Sequence, residues 1–109
     1  MAVGDAPVLE ALIEINAASL ARTELDARSL MLVRLAALAA VDAPASSYLL
    51  HVGPSVEAGL TAGDAEDVLV AVAPIVGAPR TASAAAKIME ALDLAIELAQ
   101  EDDKSAQDA

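Results

Sequence analysis

A single histidine, His51, is the side chain of this sequence best suited to acid–base chemistry. It is the only histidine among 109 residues. Histidine is also the one side chain that titrates near neutral pH without a perturbing environment. Tyr48 and Ser47 precede it by three and four residues, so in a helix all three side chains share one face. This grouping of an imidazole, a phenol and a hydroxyl predicts a small polar site that could transfer a proton to or from a substrate carbon.

A structural interpretation of the same residues stands beside the catalytic one. A lone histidine near an apolar face is often a hydrogen-bonded structural residue, and a lone tyrosine is often a packing residue with one polar contact. Arg34 and Arg80 could bind a substrate carboxylate through their guanidinium groups. In so acidic a chain, however, we expect both arginines to pair with Asp or Glu.

The chain contains no cysteine, and this excludes thiol chemistry. There is no thiolate to reduce peroxide, to exchange disulfides or to bind zinc. One histidine leaves only carboxylates as metal ligands, and no loop has the spacing of a calcium site. We therefore predict neither a metal site nor a cofactor, and no peroxidase or disulfide-reductase activity.

The charge and the hydropathy of the chain exclude two classes of partner. Seventeen acidic residues against six basic ones give a net charge of −11, which repels nucleic-acid backbones. The apolar stretch at residues 30–41 is interrupted by Arg34 and is shorter than the roughly 20 residues that span a bilayer. Asp5 and Glu10 stand where an export signal would carry positive charge, so we expect a cytoplasmic protein with no membrane or nucleic-acid partner.

The proportion of apolar residues predicts self-association. Hydrophobic residues make up 57% of a chain of 109 residues, and a body this small has too little interior to bury them all. A second copy of the chain is the best cover for the remaining apolar surface.

Hydrophobic periodicity predicts an all-α, single-domain bundle of about five helices. The expected helices cover about residues 7–20, 27–41, a stretch from Pro44 or Ala45, 62–76, and a last helix capped by Thr81 or Ser83 and running to Gln100. The second and fourth helices are apolar on nearly every face, which is typical of buried helices. The predicted helical domain is residues 1–100, followed by a disordered acidic tail at residues 101–109.

Local signals place several of the helix ends. Asp26 can accept a hydrogen bond from the first turn of the second helix. Gly53-Pro54 predicts a kink or a break in the third helix, because Pro54 cannot donate to the preceding turn. Gly59 is a natural left-handed stop, and Thr61 with Asp64 has the spacing of a capping box.

Five landmarks occur in a fixed order between residues 25 and 92. Leu25-Asp26-Ala27-Arg28 opens the second helix and His51 lies on the third. They are followed by Gly59-Leu60-Thr61, by residues 66–69 and by residues 73–79, which lead into an alanine-rich last helix. In this order the segments resemble the carboxymuconolactone decarboxylase superfamily, which includes the alkyl hydroperoxide reductase D-like proteins. The resemblance implies an all-helical fold whose subunits interlock, as a homotrimer or a homohexamer.

The departures from that family concern its redox chemistry. The resemblance places the two cysteines of the redox members at Pro44 and Ser47, and their relay glutamate near Met31 or Leu32. Of the redox landmarks the chain therefore keeps only His51. Decarboxylase-type members lack the cysteine pair and keep this histidine, usually with acidic residues one turn before it. In this chain that turn is Ser46-Ser47-Tyr48.

Three functions follow as hypotheses. The first is a decarboxylase or isomerase with His51 as general acid or base, assisted by Tyr48 and Ser47. The second is a non-catalytic relative that binds a small lactone-type or carboxylate-type ligand in an interface pocket near His51. The third is an oligomeric scaffold or interaction protein. We favour a degenerate or repurposed family member that acts on or binds such a ligand.

Overall fold

The helix count expected from the sequence agrees with the structure of the chain. A computed structural model describes residues 6–108, and these form five α-helices and no strand. The helices are α1 (Ala6–Arg22), α2 (Ala27–Ala40), α3 (Ala45–Glu57), α4 (Ala62–Val76) and α5 (Ala78–Asp108). The all-α, single-domain prediction is confirmed. Residues 1–5 and Ala109, at the two ends of the predicted domain and tail, lie outside the described residues.

The predicted caps between α1 and α4 are present. The side chain of Asp26 accepts a hydrogen bond from the backbone N–H of Ser29 at 2.7 Å and so caps α2. Thr61 and Asp64 form a complete capping box at the start of α4. Gly59, between α3 and α4, has a φ of +84°, a left-handed conformation that glycine adopts without strain.

Four of the five helices pack together, with α2 and α5 at the centre. α2 contacts α3, α4 and α5, and α5 contacts α2, α3 and α4. The central cluster of buried residues comes from these four helices and the turn after α2: Ala39, Ala43, Tyr48, Leu69, Ala84 and Ala91. Small side chains dominate this cluster, so the helix backbones approach one another closely.

The two helices that are apolar on all faces are only partly buried in the single chain. α2 buries Leu30, Met31 and Ala39 but leaves Val33 54% exposed. α4 buries only Leu69, and its Ile75 is 89% exposed. The interpretation of α2 as a central helix agrees with its contacts, whereas the expected burial of both helices on all faces is wrong for one copy of the chain.

α1 lies apart from the other described helices. None of its residues is buried, and it makes no close backbone contact with α2, α3, α4 or α5. Leu9, Leu12 and Ile13 are between 40% and 68% exposed, so its apolar stripe has no cover within the described chain. No described helix combines the length and the apolarity needed to cross a bilayer.

The predicted break in the third helix is absent. α3 continues through Gly53 and Pro54 to Glu57. Leu50, whose carbonyl loses its partner because Pro54 has no N–H, is exposed together with Gly53 and Pro54, so water can satisfy that carbonyl. Of the expected kink or break at Pro54, the break is therefore wrong.

The last helix begins earlier and ends later than its sequence predicts. α5 starts at Ala78, directly after Gly77 at φ +93°, and Pro79 occupies its first turn. Thr81 and Ser83 therefore lie inside the helix and do not cap it. At the other end α5 continues past Gln100 to Asp108, so the expected disorder is wrong for residues 101–108. These residues include no glycine or proline that would stop a helix.

Two salt bridges connect residues of different helices and turns within the described chain. Arg28 at the start of α2 donates to both carboxylate oxygens of Asp64 in α4, at 2.8 and 3.2 Å, and to the carbonyl of Gly59 at 3.2 Å. Asp42, in the turn after α2, accepts hydrogen bonds from Ser83 and Lys87 of α5 at 2.8 and 2.9 Å. The first contact connects the two ends of the α3–α4 turn, and the second holds the α2–α3 turn on α5.

The Arg28–Asp64 pair makes the free energy of unfolding depend on pH in the acidic range. The hydrogen bond from Arg28, followed by that from the Thr61 backbone, lowers the pKa of Asp64 from 3.8 to about 2. A carboxyl whose pKa is lower in the folded state stabilises the fold above its unfolded pKa, and this contribution is lost as the pH falls through the folded pKa.

We predict that Asp64→Asn flattens the dependence of the free energy of unfolding on pH between about pH 4 and pH 2. The variant should also unfold at a lower urea concentration than the parent at pH 7, because the capping box loses its charged acceptor. Urea unfolding followed by circular dichroism measures both effects. Asp67→Asn, at an exposed position of the same helix, is the control and should leave the pH dependence unchanged. An equal pH dependence in the parent and in Asp64→Asn would contradict the prediction.

Candidate functional site

His51 lies at the wall of a partly open cavity between the four packed helices. We call this space the inner cavity, and its volume is about 140 Å³. Its walls are mostly aliphatic and come from α2, α3, α5, the start of α4 and the turn before it. The polar side chains in the wall are those of Tyr48, His51, Ser55 and Thr61.

The ring of His51 is oriented by its own helix. Nδ1 lies 2.7 Å from the backbone carbonyl oxygen of Ser47, one turn earlier, and the ring is partly buried. A carbonyl oxygen can only accept a hydrogen bond, so Nδ1 carries the hydrogen of this contact. The neutral imidazole then has its lone pair on Nε2, and no group of the described residues forms a hydrogen bond with Nε2. This arrangement leaves Nε2 available to accept or return a proton.

Tyr48 belongs to the core as well as to the cavity wall. Its side chain is only 3% exposed and is part of the central cluster. The hydroxyl is buried and has no hydrogen-bond partner among the described residues. Burial, and to a lesser extent the negative charge of Asp42, raise the pKa of Tyr48 above its usual value of 10. The phenol is therefore protonated at neutral pH, and it lines the inner cavity together with His51.

Ser47 acts through its backbone. Its carbonyl holds the His51 ring, whereas its hydroxyl forms no hydrogen bond within the described part of the chain and does not line the inner cavity. The structure thus brings two of the three predicted site residues, His51 and Tyr48, to one cavity. The catalytic roles of all three stay predictions.

Several wall residues were not among the site residues predicted from the sequence. Met31 and Leu35 of α2 and Ile88 and Leu92 of α5 line the inner cavity opposite α3. Each pair has the i, i+4 spacing of one helix face, which is the signal that could have grouped them. Met31 is one of the two positions to which the family resemblance assigns the relay glutamate, so a thioether occupies the cavity wall there.

The expected pairing of Arg34 and Arg80 with carboxylates is absent among the described residues, so that expectation is wrong there. Arg34 of α2 donates to the side-chain oxygens of Asn16 and Ser19 of α1, at 2.7 and 3.0 Å. Arg80 donates to the backbone carbonyl of Ala40 at 3.0 Å. Both guanidinium groups therefore donate to uncharged oxygen atoms of neighbouring helices, and not to carboxylates of the described chain.

A second, more open space lies between α1 and the rest of the chain. We call it the α1 cleft; its volume is about 320 Å³. His51 lines this space as well as the inner cavity. The other residues of its walls come from α1 and α2: Leu12, Ile15, Asn16, Ser19, Arg34, Ala37 and Leu38. No group of three or more His, Asp or Glu side chains that could hold a metal ion occurs within the described residues.

The comparisons with known proteins give one family. The model of the family described as "Carboxymuconolactone decarboxylase family" matches residues 6–91, which covers α1 to α4 and the first half of α5. No curated protein and no solved structure gives a significant match.

We predict that Tyr48→Phe preserves the fold and raises the free energy of unfolding by about 1 kcal/mol, since it removes a buried hydroxyl that has no partner among the described residues. Thermal and urea unfolding measure the change. Tyr48→Leu is the comparison variant and should destabilise the chain, because it removes the ring that fills the core. A loss of stability in Tyr48→Phe similar to that in Tyr48→Leu would show that the hydroxyl has a partner in solution.

Proposed function

The chain belongs to the carboxymuconolactone decarboxylase family, and from this membership we propose that it is a non-redox member acting on a small lactone-type or carboxylate-type ligand beside His51. The ligand occupies the inner cavity, and His51 is the general acid or base. The proposal rests on the hydrogen bonding of the His51 ring at the wall of the inner cavity. The Ser47 carbonyl holds Nδ1–H, and Nε2 has no protein partner within the described chain.

The residue types at the former redox positions support a non-redox role. The positions that the resemblance assigns to the two cysteines carry Pro44 and Ser47. Met31 at the cavity wall stands at one of the positions assigned to the glutamate. Neither a hydroxyl nor a thioether can replace a thiolate as the nucleophile that attacks peroxide or a disulfide.

The size and lining of the inner cavity support a small, largely apolar ligand. A dry apolar cavity of about 150 Å³ holds a molecule of the size of benzene. The inner cavity, at about 140 Å³, therefore accommodates a five-membered lactone ring. Leu35, Val52 and Ile88 supply apolar wall, which favours the ring of such a ligand over a strongly hydrated one.

The chemistry available to His51 is proton transfer at a carbon next to a carbonyl group. Nε2 accepts the proton, and the electron pair of the broken C–H bond passes into the carbonyl as an enolate. The imidazolium that forms is stabilised by the Ser47 carbonyl, which accepts the Nδ1–H hydrogen bond. Return of the proton to a different carbon is an isomerisation, whereas loss of that proton to solvent and delivery of a solvent proton or deuteron to the same carbon is an exchange. Protonation of the carbanion left by loss of CO₂ uses the same group as an acid.

We predict that the full-length protein catalyses hydrogen–deuterium exchange next to the carbonyl of α-angelica lactone in D₂O, and that His51→Ala lowers the rate at least about a hundredfold. Proton NMR measures the exchange. Ser46→Ala, at an exposed position of α3, is the control and should retain the rate. Tyr48 lines the inner cavity and is the only aromatic residue, so tyrosine fluorescence reports whether His51→Ala still binds the lactone.

Two outcomes would contradict the assignment of His51. Exchange that persists in His51→Ala would place the base elsewhere. Binding without exchange in the parent protein would leave the inner cavity as a binding site alone, which is the non-catalytic relative.

The exposed apolar surface supports an oligomeric scaffold as the second candidate function. Val70 and Ile75 of α4 are 74% and 89% exposed, and the apolar stripe of α1 is uncovered in the single chain. Covering such surfaces with another copy removes apolar area from water, at about 25 cal/mol for each Å². We infer that the chain forms a homotrimer or a homohexamer, as its family resemblance implies, and that the assembly covers the mouth of the inner cavity.

We predict that light scattering at micromolar concentration reports a trimer or a multiple of it, and that Ile75→Glu dissociates the assembly. In a monomer this exposed position tolerates a charge, whereas in an interface the charge would be buried without a partner. Gln100→Glu, which adds the same charge at an exposed position late in α5, should leave the mass unchanged. If the parent protein is a folded monomer, both the scaffold function and the proposed cover over the mouth of the inner cavity are wrong.

A further inference from the structure

Arg34 supplies the side-chain hydrogen bonds between α1 and another helix of the described chain. Its guanidinium reaches across the α1 cleft and donates to Asn16 Oδ1 and to Ser19 Oγ. No other side-chain hydrogen bond joins α1 to another helix within the described residues, and no close backbone contact does so. The cleft is therefore a gap that Arg34 spans with hydrogen bonds to two side chains that carry no charge.

The charge of Arg34 has no carboxylate beside it among the described residues. Arg28 pairs with Asp64 and Lys87 with Asp42, but Arg34 forms no ion pair within the described chain. Arg80 also lacks an ion pair within the described chain, but it donates to a backbone carbonyl, whereas Arg34 donates to two side chains that line the cleft. A partly buried guanidinium without a counter-ion attracts an anion from solution.

The groups around Arg34 offer mainly hydrogen-bond donors. The acceptor atoms of Asn16 and Ser19 already receive hydrogen bonds from Arg34. Asn16 thus retains its NH₂ group, Ser19 retains its hydroxyl hydrogen, and Arg34 retains its remaining N–H groups. These donors complement the two oxygen atoms of a carboxylate, which only accept.

The remaining walls of the α1 cleft are mostly aliphatic and could contact the hydrocarbon part of a ligand. Leu12 and Ile15 of α1 face Ala37 and Leu38 of α2 across the same space, and His51 closes one side. A ligand with a carboxylate at Arg34 could therefore place an aliphatic chain along these residues.

We propose that the α1 cleft is a second binding site, distinct from the inner cavity, for a small organic monocarboxylate with an apolar body. Arg34 supplies the charge, Asn16 and Ser19 supply further donors, and the aliphatic side chains of α1 and α2 take the hydrocarbon part. The site does not depend on catalysis by His51, although it shares that residue as a wall.

The experiment compares hexanoate with its uncharged analogue hexanamide by isothermal titration of the full-length protein at 0.15 M salt. We expect hexanoate to bind the parent at least about tenfold more tightly, since one charge-assisted contact is worth about that ratio. Asn16→Asp should abolish this preference, because it supplies an internal carboxylate to Arg34 while keeping the oxygen that holds α1. Arg34→Gln should abolish it as well. Arg22→Gln, an exposed arginine of α1 that does not line the cleft, should retain it.

Three results would overturn the proposal: equal binding of the two probes by the parent, a preference for hexanoate that survives Asn16→Asp, or its loss in Arg22→Gln. Hexanamide is the internal control for a collapsed cleft, because its apolar chain should still bind between α1 and α2 in Asn16→Asp. Tyrosine fluorescence separates this site from the inner cavity. Tyr48 does not line the cleft, so hexanoate bound at Arg34 should leave its emission unchanged, whereas a response that survives Asn16→Asp would assign the binding to the inner cavity.

Discussion

Close contact between helices through alanine is the constraint on which the rest of this structure depends. Ala39, Ala84 and Ala91 are the most deeply buried residues of the described core, each at most 1% exposed. An alanine loses no side-chain rotamer freedom on burial, so such contacts form at low entropic cost. Each contact also removes little apolar area from water. Apart from Leu30, Met31 and Leu69, the larger aliphatic side chains of the described residues are half-buried around these contacts or exposed outside them. The cavity beside Tyr48 and the uncovered face of α4 both follow from that distribution.

His51 stands between two spaces of different chemical character. On one side the inner cavity is lined mostly by aliphatic groups from four helices. On the other side the α1 cleft holds a guanidinium and a surplus of hydrogen-bond donors. The ring keeps one orientation between them because its partner is the Ser47 carbonyl of the same helix. The imidazole is thus positioned by local geometry and does not rely on a neighbouring carboxylate.

The sequence predicted those features of the fold that depend on neighbouring residues. The caps at Asp26 and Thr61 and the left-handed Gly59 were recognisable because each involves atoms no more than a few residues away. The continuation of α3 through Pro54 was not, because it depends on water reaching the Leu50 carbonyl from an exposed side. The extension of α5 past Gln100 was missed because polarity was interpreted as disorder, although acidic residues, lysine and alanine are compatible with a helix.

The candidate site was predictable to the same extent. His51 and Tyr48 lie on one helix face, and their spacing alone placed them together. The walls opposite them come from α2 and α5, whose pairing is a tertiary event that no local pattern encodes. Arg34 was recognised as the one charge in an apolar stretch, but its partners were not. Asn16 and Ser19 lie 18 and 15 positions away on a helix whose placement depends on that contact.

The length of α5 has a consequence for the hydrodynamics of the chain. A helix of 31 residues is about 46 Å long, close to the 49 Å of the longest dimension of the molecule. The radius of gyration is 15.5 Å, whereas a globular chain of this length would have about 13 Å. A single copy therefore diffuses and tumbles as an elongated particle. It elutes from a sizing column ahead of a sphere of equal mass, and its rotational correlation time differs between the axis of α5 and the directions across it.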